Sequence, residues 1–594
     1  MVGSKVTLTV KGDLSDEYFT ANPQITFFKG VFRRHTRFSI ETITQSFNNQ
    51  NIHTTNDSIF SLLGNDGIKR TGDLLKSVYL SFTLPDIYSG AYSSDTDLYH
   101  FRWIRNLGFY IIKNIKLKIG GTLIQEFTGE WLDVHKELYL SDEEKEAINE
   151  MIGNTPDMIN PEISNGNLVD RVITSGNYST LSYLITSKKY PHSKKTDGSE
   201  ASNYYEDNFA NAVTTTVYNS STSSLNEGSN FIDDRTLPSI YGRQIKVPLP
   251  FWFTKSTSQA LPMISLQNTP IEIDMTMRPI NDLYTVTNVN NSGVDSASNG
   301  YRIKNNNSTD IKNVRIQYFL KDDSTDYDVS YSTTEKILVN NRIKINPELN
   351  LTYIFLDNEE RNKFARSTHQ YLIETINKVE SKNNRNTNTK IEINSNNHVK
   401  EIIVIPKRTD TVNVNEWDNF TNWLQKDINP TSFSYWQEDS FNMNYYDTIQ
   451  NRYPFPSRAY TTRTFMKPLY LKKDLIKSMS ILFNNTPLFN KKNGIYYQNQ
   501  QVLEYYRTSS KDGIYTYSFS LNPRNPTQPS GSLNFSSQDV KLDIDFNSLP
   551  QQSSYVSGNE SNYVSDYGID VNIYLVQYNI LHIEYGTGGL KFQS

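Results

Sequence analysis

Apolar and polar residues alternate with a period of two along much of this 594-residue chain. That spacing belongs to strands with one face in a core and the other in water. Val78, Leu80, Phe82 and Leu84 alternate with Tyr79, Ser81 and Thr83, and Ile115, Leu117 and Ile119 alternate with Lys116 and Lys118. Ile245, Val247, Leu249 and Phe251 form a third set, and Ile271, Ile273, Met275 and Met277 a fourth. Further strands are predicted at 351–356, 399–405, 478–483, 514–521, 540–546 and 571–584. Pro248 and Pro250 interrupt the third set, and a residue without an amide hydrogen predicts an edge strand or a bulge there.

Few helices are expected. Ser141 with Glu144 has the spacing of a capping box ahead of Ala147, Ile148 and Met151. Trp131, Val134 and Leu138 fall on one helical face just upstream, and Asp357 with Glu360 starts a third short helix. Three polar stretches, 187–230, 285–313 and 378–397, have too little apolar surface to offset their ordering entropy. They read as exposed loops, the second also as a connection between domains.

The two halves repeat one another. Residues 113–124 match 477–488, so that Ile115, Leu117, Ile119 and Ile124 fall on Met479, Ile481, Phe483 and Leu488. Gly120-Gly121 falls on Asn484-Asn485, and both pairs suit the positive φ of a two-residue hairpin. Residues 270–275 match 540–545 in the same order. The expected division is an N-terminal segment 1–24, a first β-domain 25–284, a connection or insertion 285–346, and a second β-domain 347–594.

Composition narrows the function. The 39 Tyr and 29 Phe suit half-buried strand surfaces. A net charge of −5 leaves no basic surplus for phosphates, so nucleic-acid binding is not expected. There is no cysteine, which excludes disulfides and thiolate chemistry. No signal peptide, myristoylation glycine or membrane span is expected: the best apolar run, 107–119, contains Lys113, Asn114, Lys116 and Lys118. The eight histidines show no metal spacing, Gly586 to Gly589 reads as a terminal turn, and the acidic runs 322–328 and 543–545 read as solvated surface. No catalytic or cofactor site is singled out, so a non-enzymatic protein is expected. The N-x-S/T sequons at Asn219, Asn290, Asn306 and Asn307 are candidate glycosylation sites. Arg33, Arg34, His35 and Arg37 beside Phe27, Phe28 and Phe32 suit an acidic neighbour, a membrane face or ordinary salt bridges.

Residues 22–39, which include Asn22, Pro23, Gln24, Phe27, Phe28, Arg33, Arg34 and His35, closely resemble the N-terminal signature of major capsid proteins from nucleocytoplasmic large DNA viruses. Pro248, Pro250, Phe251, Trp252 and Phe253 belong to a second stretch similar to that family, and further stretches follow in the same order to residue 590. The resemblance implies an all-β double jelly roll of two eight-stranded sandwiches. It implies a structural subunit, three copies of which form a pseudo-hexagonal capsomer tiling an icosahedral shell assembled in host cytoplasm. Its partners would be itself, neighbouring capsomers, minor capsid proteins and an internal membrane layer. A minor or vertex paralogue has the same fold, and a glycan-binding β-sandwich is the alternative from another class.

Overall fold

The computed structural model describes residues 18–64, 67–87, 99–159, 240–288, 302–303, 315–320, 325–331, 336–422, 474–547 and 567–592, apart from positions 31 and 537. The first sandwich is built from β1 (Phe38–Ser46), β2 (Ser58–Leu62), β3 (Leu74–Thr83), β4 (Ile112–Ile119), β5 (Thr122–Phe127), β6 (Gln244–Pro248), β7 (Ile271–Met277) and β8 (Glu348–Leu356). One sheet runs β1-β8-β3-β6 and the other β2-β7-β4-β5, with every pair antiparallel. The second sandwich uses β9 (His369–Asn384), β10 (Asn388–Ile393), β11 (His398–Arg408), β12 (Ile476–Phe483), β13 (Thr486–Pro487), β14 (Tyr515–Ser518), β15 (Val540–Phe546) and β16 (Ile569–Glu584). Its sheets run β9-β16-β11-β14 and β10-β15-β12-β13. Each strand therefore takes the place of the one eight before it. The chain is a double jelly roll, duplicated in topology as in sequence.

Alternation explains the strands. In β7, Ile271, Ile273, Met275 and Met277 are buried, while Glu272 and Asp274 stand opposite Lys118 and Lys116 of β4. Lys118 lies 3.5 Å from Asp274. Each buried Ile or Leu here contributes about 1.5–3 kcal/mol. The hairpins are equivalent: Gly120 and Gly121 have φ 60° and 78°, and Asn484 and Asn485 have φ 50° and 62°. They join β4 to β5 and β12 to β13. Pro248 ends β6 at the sheet edge, where a missing amide breaks no ladder.

Four expectations are corrected. Residues 348–356, expected to open the second domain, form β8 and sit between β1 and β3 of the first sandwich. The pattern identifies a strand there but not its partner, which is distant: Thr42 and Thr352, 310 residues apart, share a 3.1 Å hydrogen bond. Residues 378–397, read as a loop, lie largely in β9 and β10, where buried Ile391 and Ile393 alternate with polar neighbours. Tertiary pairing with β15 and β16 outweighs their composition. Within 285–313, Thr285 and Val286 are buried in a strand paired with Tyr99–Trp103. The match of 270–275 to 540–545 is also slipped by one. Ile271 opposes Ile119 and Val540 opposes Phe483, so Ile271 is equivalent to Val540 and Ile273 to Leu542.

Candidate functional site

The most elaborate chemistry lies in the seam between the sandwiches. In β11, Ile402, Ile403, Val404 and Ile405 are all buried. Ile402 and Val404 face the second core, and Ile403 and Ile405 join the cluster of the first. This sheet is covered on both faces, so its middle strand reads as a continuous apolar run.

Helix α1 (Gly129–Tyr139) fills the seam. Thr128 caps it, accepting from the Trp131 amide at 3.3 Å. A Cβ on Gly129 would lie 2.1 Å from the Phe109 carbonyl oxygen, so only glycine fits this start. The Trp131 ring lies 5.4 Å from that of Tyr574 on β16, and Tyr139 meets Tyr506 edge-on at 5.9 Å. Helix α2 (Asp142–Met151) follows, with the expected Ser141/Glu144 capping box.

The end of the Pro248-to-Phe253 stretch packs here too. Phe251, Trp252 and Phe253 are buried, and Trp252 lies 5.2 Å from Tyr371 of β9. The Trp252 amide donates to Gln125 Oε1 at 3.0 Å, and Gln125 Nε2 donates to the Glu374 carbonyl at 3.1 Å. Asn415 Nδ2 reaches the carbonyls of Asn281 and Tyr284, each at 2.8 Å. At the end of the chain, β16 turns into β17 (Thr587–Leu590), and the carbonyl of Gly586 accepts from Thr269 Oγ1 at 2.7 Å.

Buried charges interlock across this surface. Glu130 of α1 pairs with Lys407 of β11 and accepts from Asn572 Nδ2 at 2.8 Å and the Tyr574 hydroxyl at 2.9 Å. Burial alone would raise the Glu130 carboxyl, but Lys407, Lys378 and the hydrogen bonds hold it at about 2. Asp133 accepts from the Tyr110 hydroxyl at 2.8 Å and pairs with Lys511. Glu374 of β9 accepts from Lys255 at 2.6 Å and Lys400 at 2.5 Å. Against the upward pull of burial, those lysines hold it at about 2. Glu401 accepts from the Tyr139 and Tyr506 hydroxyls, and burial pushes its carboxyl up to about 8. Lys400 lies 3.7 Å from Glu401, but its short hydrogen bond goes to Glu374. Burial and then Lys255 push His135 down to about 3. The buried carboxylates are met by lysines or tyrosine hydroxyls, and the pairs from Glu130 and Asp133 tie α1 to the second sandwich.

The structure separates the two signature stretches. Phe251 to Phe253 form part of the seam and Pro248 pairs with Tyr79 at the edge of the first sandwich, whereas Asn22, Pro23, Gln24, Phe27, Phe28, Arg33, Arg34 and His35 stand in solvent ahead of β1. Asn219, Asn290, Asn306 and Asn307 lie outside the described residues. Asp543 and Asp545 of the second acidic run pair with Lys491 at 3.0 and 2.8 Å. Sequence reasoning missed Glu130, Glu374, Lys400, Glu401, Lys407 and Lys511. One signal was available: Lys400-Glu401 is a charged pair at the head of an otherwise apolar run.

Family profiles match most of the chain. "Major capsid protein N-terminus" covers residues 26–321, and "Large eukaryotic DNA virus major capsid protein" covers 360–589. The major capsid protein of Phaeocystis pouchetii virus is 24% identical over the full length of both chains. "Probable capsid protein 4" of Acanthamoeba polyphaga mimivirus is 23% identical over the same coverage. The solved structure of the Faustovirus major capsid protein superposes with a TM-score of 0.55 at 11% identity, covering 98% of this chain and 96% of the other.

Proposed function

This chain belongs to the major capsid proteins of large eukaryotic DNA viruses and is a structural component of the virion shell, and from that premise we propose that three copies associate into a pseudo-hexagonal capsomer tiling an icosahedral capsid. The carrying observation is the seam. One chain holds two sandwiches of identical strand order, locked through α1 and its buried ion pairs to Lys407 and Lys511. Three such chains present six similar walls, and a stiff joint keeps them in register. Neighbouring capsomers, minor capsid proteins and an internal membrane layer are the further contacts this reading implies, with assembly in host cytoplasm. The protein acts by position, without turnover.

Sedimentation of the purified chain tests the proposal. A species of three times the 68.5 kDa monomer mass is expected at micromolar concentration; a stable monomer there would overturn it. A minor shell component of the same fold is the alternative reading. Copy number in purified particles separates the two, since a tiling subunit outnumbers every other shell protein.

A further inference from the structure

We propose that residues 18–37, together with the outer edge of β1, form a strap that lies on a second copy of this chain. This rests on the self-association proposed above and names the segment that makes it. Tyr18, Phe19, Ile25, Phe27, Phe28 and Phe32 are between 72% and 98% exposed. The exposure continues into β1, where Phe38 and Ile40 on one face and Ser39 and Glu41 on the other are all exposed. β1 pairs with β8 along one edge, and its other edge meets no strand among the described residues. A long apolar segment followed by an open strand edge is the combination that soluble chains cover or blunt.

Two observations choose the occupant. An open edge presents peptide N–H and C=O groups that another backbone pairs and a lipid surface does not. Charge then points to this same chain. Residues 18–37 contain Lys29, Arg33, Arg34 and Arg37 and no Asp or Glu, a charge of +4. The whole chain carries −5, so the remainder carries −5 − 4 = −9. The body of a second copy is therefore the complementary surface for the strap, which approaches it with aromatic anchors between its cations. Residues 18–20 form a short helical turn, and Pro23, next to Asn22 at φ 52°, keeps that turn from continuing into the strap. Fully extended, the 17 residues from 21 to 37 reach about 56–61 Å, enough to pass from one subunit onto the next.

The test uses the full chain. Equal amounts of isotopically heavy and light protein carrying Phe28→p-benzoylphenylalanine are mixed, illuminated and digested, with phosphatidylserine vesicles present. Cross-linked peptides joining heavy to light chains are expected. The triple variant Phe27→Ser, Phe28→Ser, Phe32→Ser should keep the wild-type circular dichroism spectrum and associate about ten-fold more weakly, or worse. Arg33→Glu with Arg34→Glu should weaken association most at low salt. A trimer with unchanged affinity in these variants and cross-links confined to single chains would overturn the strap and leave the capsomer standing. Cross-links to lipid in place of protein would overturn it in favour of a membrane contact. A wild-type chain that sediments only as a monomer would overturn the capsomer reading itself.

Discussion

Lys400 and Glu401 show what one residue does in this fold. β11 carries a bulge between Val399 and Glu401, which re-aims the side chains there. Lys400 serves Glu374, and Glu401 serves two tyrosines. Burial raises the Glu401 carboxyl from 4.5 to about 8, so the folded state holds a proton that the unfolded chain has released. Its contribution is complete below pH 4.5 and is lost as pH rises to about 8. Glu401→Gln should flatten that part of the stability profile, measured by urea denaturation across pH. His135 acts in the opposite direction. It is held neutral, with its value lowered from 6.5 to about 3, so its contribution is lost as pH falls through that window, and His135→Gln should remove the loss. Core positions are harsher. Leu117→Asp or Ile481→Asp buries an unpaired charge and should cost about 4 kcal/mol or more, enough to abolish the folded chain in expression trials. Lys116→Gln, at a half-exposed site 3.6 Å from Glu126, should cost about 0.5 kcal/mol.

At the level of elements, the hairpins and the capped helix were legible because their signals are local. Gly-Gly and Asn-Asn supply positive φ without reference to the rest of the chain. Their two glycines are nevertheless unequal in the folded protein. A Cβ on Gly120 would lie 2.3 Å from Thr269 Cγ2, whereas nothing lies within 4 Å of one on Gly121. Gly120→Ala should therefore destabilise well beyond the backbone strain of about 1–2 kcal/mol that Gly121→Ala pays alone, a difference that paired thermal melts would resolve. Ser141→Ala should cost about 1 kcal/mol, because both arms of the box are made. β8, β9 and β10 were harder. β8 looks like any strand, and only its register against β1 and β3 assigns it to the first sandwich. β9 and β10 are polar on the outside, and what makes them strands is pairing with β15 and β16, between 147 and 214 residues away.

For the whole molecule, the seam decides whether two sandwiches behave as one body. Lys407→Met leaves Glu130 buried with Asn572 and Tyr574 but without its ion-pair partner, with only the more distant Lys378 to offset its charge, which should cost about 3 kcal/mol. Adding Glu130→Gln should recover much of that loss, because the cost lies in the orphaned charge. Calorimetry should show one transition for the native chain and a split transition for the single variant, in which the sandwiches melt separately. A single transition at the native temperature in the Lys407→Met protein would mean that apolar packing alone holds the joint.

Period-two alternation, turn chemistry and the matched halves are properties of short windows, so the chain alone determined an all-β protein duplicated in tandem. The signature stretches carried the capsid resemblance in the same way. Tertiary structure decided everything that depends on which distant residues meet. It gave β8 to the first sandwich and shifted the 270–275 equivalence by one residue, because a strand's pattern states its period and not its partner. It turned Phe251 to Phe253 into a joint and left Phe27, Phe28 and Phe32 in solvent, although both stretches read alike as aromatic and conspicuous. It also assembled Glu130 with Lys407, and Asp133 with Lys511, from positions hundreds of residues apart. A charge reads as surface until the fold withdraws water from it, and only then does it require the partner that the seam provides.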